Sequence, residues 1–188
     1  GKIHYQGDQQ EVAQAYTDYV FERTKPDFET DDPMDMRFVE GTGAVRIENA
    51  RLLDRDGKET RGFHSGDSMV LELDYVSDLP KDAEAHFFLG ILRQPDGEWV
   101  GEVSTVYQIE DINSGAKKNH LRLKDKGKII VRMEPLLLLN NHYEIWLKMF
   151  NESVCVYDYR GVTPFFVSKS DYVFERGPLY WQPCRIEC

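Results

Sequence analysis

Between residues 142 and 150 the chain alternates with a period of two, and that alternation separates two kinds of chemistry. Burying Tyr143, Ile145 and Leu147 on one side of a strand sends His142, Glu144, Trp146 and Lys148 to the other. An outward Trp146 beside Lys148 is a pair suited to sugars. An indole offers apolar area to the C–H face of a pyranose, and a cation fixes the hydroxyl or acidic groups around it. The same reasoning buries Val131 and Met133 and turns Arg132 outward, and in a hairpin near residue 95 it turns Leu92 in and Arg93 out. Those three cations would meet an anionic group. Trp99, just beyond Asp96-Gly97, is placed near a hairpin tip, and Tyr107 and Tyr157 complete the candidate binding set. The competing reading is structural: Trp146 packs, while Lys148, Arg132 and Arg93 are solvated charges paired with some of the many carboxylates.

Other chemistries are less well supplied. His4, His64, His86, His120 and His142 are scattered, with none of the HxH, HExxH or Cys/His spacings that bring ligands onto one metal, so no metal site is expected. With 33 Asp and Glu, a pair such as Glu102 and Glu144 arises by chance and does not indicate a glycosidase. No GxSxG elbow occurs, Cys155 has no neighbouring His in sequence, and GxxxxGK[ST] is absent. No catalytic residue and no cofactor are expected within this chain.

The elements that must position the candidates are mostly strands. A chain of 188 residues with 41% hydrophobic content can bury one sizeable core. Its apolar runs, Pro135 to Leu139 among them, are far shorter than the roughly 20 residues of a membrane span, and the first residues lack a secretory signal's layout. A soluble protein is expected. The net charge of −10 repels phosphate backbones, which argues against nucleic acid as a partner. Three cysteines without a CxxC pair point to a reducing cytoplasm.

Asp8 and Glu11, followed by Val12, Tyr16, Tyr19 and Val20 at helical spacing, predict a helix over 9–22. An acidic, proline-containing linker then occupies 26–43. Beyond Gly43 the period becomes two: Met69, Leu71, Leu73 and Tyr75 share one face, and Ile129, Val131 and Met133 another. Asp56-Gly57, Ser65-Gly66-Asp67, Pro95-Asp96-Gly97, Lys126-Gly127 and Asn140-Asn141 are the expected turns. Parity changes between Ile47 and Ala50, which predicts a bulge near Glu48-Asn49. Many short strands with no long helix between them predict an all-β protein, a two-sheet antiparallel β-sandwich of immunoglobulin-like or jelly-roll type over 44–188.

The order of these signals resembles the C-terminal domain of Wzt-type proteins, the ATP-hydrolysing subunits of ABC transporters that export O-antigen polysaccharides. The likeness is carried by Ile47 to Gly57 with Phe63 to Asp67, by Gly90 to Gly97, by Leu136 to Leu139 with Tyr143 to Leu147, and by Phe165 to Val167 with Gly177 to Trp181. Pro178 departs from a regular last strand, because it removes one ladder donor. Gly1 to Ile3 with Gly7 and Val12 to Tyr16 looks like the last strand and helix of an ABC ATPase domain, so residues 1–25 would be the tail of an upstream domain that holds ATP and Mg²⁺.

The resemblance implies a non-catalytic sandwich that recognises the non-reducing end of the finished O-antigen polysaccharide, at the cytoplasmic face of the inner membrane. It also implies a homodimer in which C-terminal strands are exchanged, and a transmembrane transporter subunit as partner. Two alternatives stand beside it: a dimerisation module that only spaces two ATPase domains, and a sandwich enzyme acting on glycans, for which fold class is no argument.

Overall fold

The alternating segments pair into two stacked sheets. The structure is a computed structural model and describes residues 6–7, 12, 37–38, 40–94, 96–107, 109–160, 162–168 and 184–187. Apart from Val12, the helix expected over 9–22 lies outside the described residues, as does the Gly177 to Trp181 ending. The chain divides into two units, 1–32 and 33–188, and the sandwich lies in the second. Among the described residues, no helix is long and apolar enough to cross a membrane.

The strands in chain order are β1 (Arg37–Phe38), β2 (Val45–Leu53), β3 (Gly62–His64), β4 (Met69–Ser77), β5 (Ala83–Gln94), β6 (Glu98–Ser104) and β7 (Ile109–Asp111). They continue with β8 (Lys117–Lys118), β9 (Leu121–Leu123), β10 (Lys126–Met133), β11 (Asn141–Asn151), β12 (Val154–Arg160), β13 (Pro164–Ser168) and β14 (Cys184–Glu187). One sheet has the order β2-β4-β10-β14-β7-β8. The other is built on the long β5–β11 pair: β6 and β9 divide the free edge of β5, β12 and β13 divide that of β11, and β1 and β3 extend these outward. The two-sheet sandwich is as expected from the sequence, but the sheets are mixed, because β13 with β3 and β14 with β7 run parallel.

The inward faces make one core. Met69, Leu71, Leu73 and Tyr75 of β4, Ile129, Val131 and Met133 of β10, and Tyr143, Ile145, Leu147 and Met149 of β11 are each at most 3% exposed. Burying such side chains contributes about 1.5–3 kcal/mol apiece, and this fixes register, since a one-residue slip would turn the whole set to water. The predicted bulge is present: the β2–β4 register shifts between Ile47 and Asn49, and buried positions resume at Leu52.

Turns at Gly57, Gly66 and Gly97 have φ of 79°, 95° and 68°, as tight reversals require. Lys126-Gly127 does not turn. It opens β10, with Gly127 opposite Tyr75, and a Cβ there would lie 2.7 Å from the Tyr75 hydroxyl, which accepts the Lys124 N–H at 3.2 Å. The glycine serves a close approach.

Asp111 ends β7 as a buried carboxylate. Its Oδ1 accepts Ser114 N–H and Oγ–H, both at 2.8 Å, and Asn113 N–H at 3.2 Å, while Oδ2 pairs with Lys118. Lys118 first, then Ser114, hold this carboxyl well below the ordinary carboxylate range. A depressed folded-state pKa contributes stability that is present above the ordinary value of 3.8 and is lost as pH falls through the folded value. Asp111→Asn is therefore expected to cost about 1–3 kcal/mol at pH 7 and much less in strong acid, read as urea midpoints at the two pH values. An equal loss at both would assign the effect to shape.

Candidate functional site

The outer face of the β6–β5–β11 strip carries the arrangement with most chemistry. Register sets Trp146 opposite Gly90 and Lys148 opposite Phe88 between β11 and β5, and it sets Glu102 opposite Gly90 between β5 and β6. Gly90 leaves a depression in this row, and an indole fills it: a Cβ on Gly90 would lie 3.1 and 3.2 Å from Cη2 and Cζ2 of Trp99. A register shift between Ile91 and Leu92 sets Trp99 opposite Leu92, so the bulge on β6 aims the indole across the strip.

Three rings then meet. Trp99 and Trp146 pack edge to face with centroids 5.2 Å apart, and Phe88 and Trp99 are tilted at 5.1 Å. Lys148 Nζ sits 4.5 Å from the Trp146 centroid, a cation–π contact that holds the ammonium over the ring. Trp99 retains 37% exposure. Burial among these neighbours pushes the Glu102 carboxyl above its usual value. The result is an apolar platform bordered by an ammonium and a carboxylate, able to stack a sugar ring and hydrogen-bond its hydroxyls.

Of the residues singled out in sequence, Trp146, Lys148 and Trp99 come together here. Arg93 and Leu92 have the opposite parity to that expected. The unbroken β5–β11 register pairs Leu92 with outward Glu144 and Arg93 with inward Tyr143. The Arg93 guanidinium is held across its own turn, donating from Nη2 to Asp96 at 2.7 Å and pairing with Glu98. Arg132 lies on β10 in the other sheet, between Val70 and Arg185, and does not join the platform. Tyr157 is a core residue, 2% exposed, opposite Met149 and stacked on Tyr159 at 4.5 Å, and burial pushes its hydroxyl pKa up. Tyr107 is 54% exposed in the 3-10 turn (Thr105–Tyr107) that follows β6. Sequence reasoning missed Phe88 and Gly90 because both lie in a continuous apolar run, Phe87 to Leu92, in which neither face is polar.

No family model and no curated protein matches the chain. Among solved structures it is similar to the crystal structure of the C-terminal domain of Wzt, with a TM-score of 0.55 and 13% identity over 77% of this chain and 90% of that one. The two share a fold. At this identity the likeness concerns architecture alone. A putative β-galactosidase from Bacteroides fragilis matches over 68% of this chain and 17% of its own, at 11% identity and TM-score 0.42. An immunoglobulin-like protein from Pseudomonas aeruginosa matches over 68% and 99%, at 11% identity and TM-score 0.32.

Proposed function

We propose that this chain is a non-catalytic glycan-binding domain of a polysaccharide-exporting ABC transporter. In this reading it recognises the non-reducing end of an O-antigen polysaccharide from the cytoplasmic side of the inner membrane. The observation that carries the reading is the Phe88–Trp99–Trp146 platform with Lys148 over its rim, displayed on a fold like that of the Wzt C-terminal domain. Its contribution would be differential affinity: a finished terminus docks, and an unfinished one does not. ATP hydrolysis would belong to a separate upstream domain, and the transmembrane subunit and a second copy of the chain would be its partners.

The deciding measurement is a calorimetric titration of the chain with the producing strain's O-polysaccharide, comparing polymer with its natural non-reducing terminus against polymer lacking it. Expected is binding to the finished polymer only, with Kd between about 1 µM and 1 mM. Equal binding to both would remove terminus recognition. Binding to neither would move the role to dimerisation, which β14 supports by lying within its sheet between β10 and β7, where an exchanged strand would dock.

A further inference from the structure

The segment 117–128 concentrates positive charge in an acidic protein. It holds six of the 23 Lys and Arg residues against one carboxylate, Asp125. Within it the chain leaves one sheet at β8 and joins the other at β9 with only Asn119 and His120 between them. That corner forms a pocket of about 460 Å³ lined by Lys117, Lys118, Asn119, His120 and Arg122. Among the described residues lining it none is acidic. Nearby carboxylates pair with the lining: Asp111 with Lys118, and Glu84 with both His120 Nε2 at 3.0 Å and Arg122 Nη2 at 3.4 Å.

The pocket is joined to the aromatic platform through β5. Glu84, His86, Phe88 and Gly90 alternate along the outer face of that strand, and Glu84 is opposite Arg122. His86 lies between the two features, and its Nδ1 is 2.9 Å from the Asn119 carbonyl, which only accepts, so the Nδ1–H tautomer ties the pocket's backbone to the strip. From Glu84 to Phe88 is four residues of extended strand, about 13 Å.

We propose that the Lys117–Arg122 pocket is an oxyanion subsite, taking a phosphate ester or a carboxylate carried by the same glycan that stacks on the Trp99–Trp146 platform. The proposal rests on the reading of that platform as a glycan site. Ammonium and guanidinium groups suit such oxygens, and Lys117 adds an exposed ammonium to a lining whose other cations are already oriented by Asp111 and Glu84. A substituent placed a few sugar rings from the stacked residue would reach it.

The test is an NMR titration of the full chain, read at the backbone amides of 117–122 and at the Trp99 and Trp146 indole N–H signals. The small probes are glucose 6-phosphate, glucuronate and glucose. Expected are shifts at 117–122 with one or both charged sugars and none with glucose, and the stronger of the two names the source. Lys117, which is exposed, allows a charge reversal with little risk to folding. Lys117→Glu should weaken the charged sugar about three- to tenfold, and 0.5 M NaCl should do likewise. If neither charged sugar moves these amides, or if glucose moves them equally, the subsite is overturned. With an oligosaccharide of the cognate polymer that carries its acidic substituent, movement of the indoles without the 117–122 amides would overturn the subsite and leave the platform standing. Movement of the amides alone would overturn the platform reading and the joint site with it.

Discussion

Trp146→Ala is expected to weaken glycan binding about thirtyfold or more while leaving the sandwich folded. Trp146 lies on the outer side of β11, whose inward neighbours Ile145 and Leu147 are fully buried, so its removal spares the core. What is lost is the ring that meets Trp99 at 5.2 Å and supports Lys148 at 4.5 Å, and with it the centre of the platform. Anchors of this type are worth about 2 kcal/mol or more, which converts to roughly thirtyfold. A second variant separates stacking from stability. Gly90→Val removes no ring and suits a strand, but its side chain must displace the Trp99 indole, 3.1 Å from where a Cβ would sit. Calorimetry should show both variants impaired, with dispersed NMR spectra like the wild type's. Undiminished affinity in both would move the glycan site off this face.

The parts of this arrangement that were legible in sequence are those in which one side of a strand is polar. In β4, β10 and β11 one face is apolar throughout and the other carries mostly charged or polar residues, with Val70, Val76, Ile130 and Phe150 as exceptions, so burial follows from period two, and the outward direction of Trp146 and Lys148 with it. In β5 the run Phe87 to Leu92 is apolar on both faces, because the outer face is itself a ring-lined surface. Hydrophobicity then carries no parity, and the orientations of Leu92 and Arg93 come out reversed. Arg132 and Lys148 read alike in sequence, yet they lie on different sheets, since partition between sheets depends on pairings such as β10 with β4 and β11 with β5 across long stretches of chain. The burial of Tyr157 has the same origin: β12 meets β11 through a register shift between Met149 and Phe150 that a single strand's pattern does not reveal. The 117–122 pocket depends on a sheet change within two residues, which local propensity does not encode.

Ile186→Ala should lower the melting temperature by roughly 4–20 °C. Ile186 is fully buried on β14, a strand of four residues inserted between β10 and β7, with Val131 as its partner on one side and Asp111 on the other. Truncating a fully buried Ile typically costs about 2–5 kcal/mol, and in a domain of this size each kcal/mol moves the midpoint by about 2–4 °C. The upper part of the range is favoured, because β14 supplies the ladder partners of both neighbours and a weakened β14 would leave β10 an open edge. The same side chain tests the proposed strand exchange. If β14 docks within its own chain, the wild-type midpoint is independent of protein concentration and the Ile186→Ala loss is constant. If β14 comes from a second copy, both midpoints rise with concentration, and the variant dissociates at protein levels where the wild type remains dimeric. A shift below about 2 °C would mean that the core closes without this strand, and that the β10 edge is held by something other than the burial of Ile186.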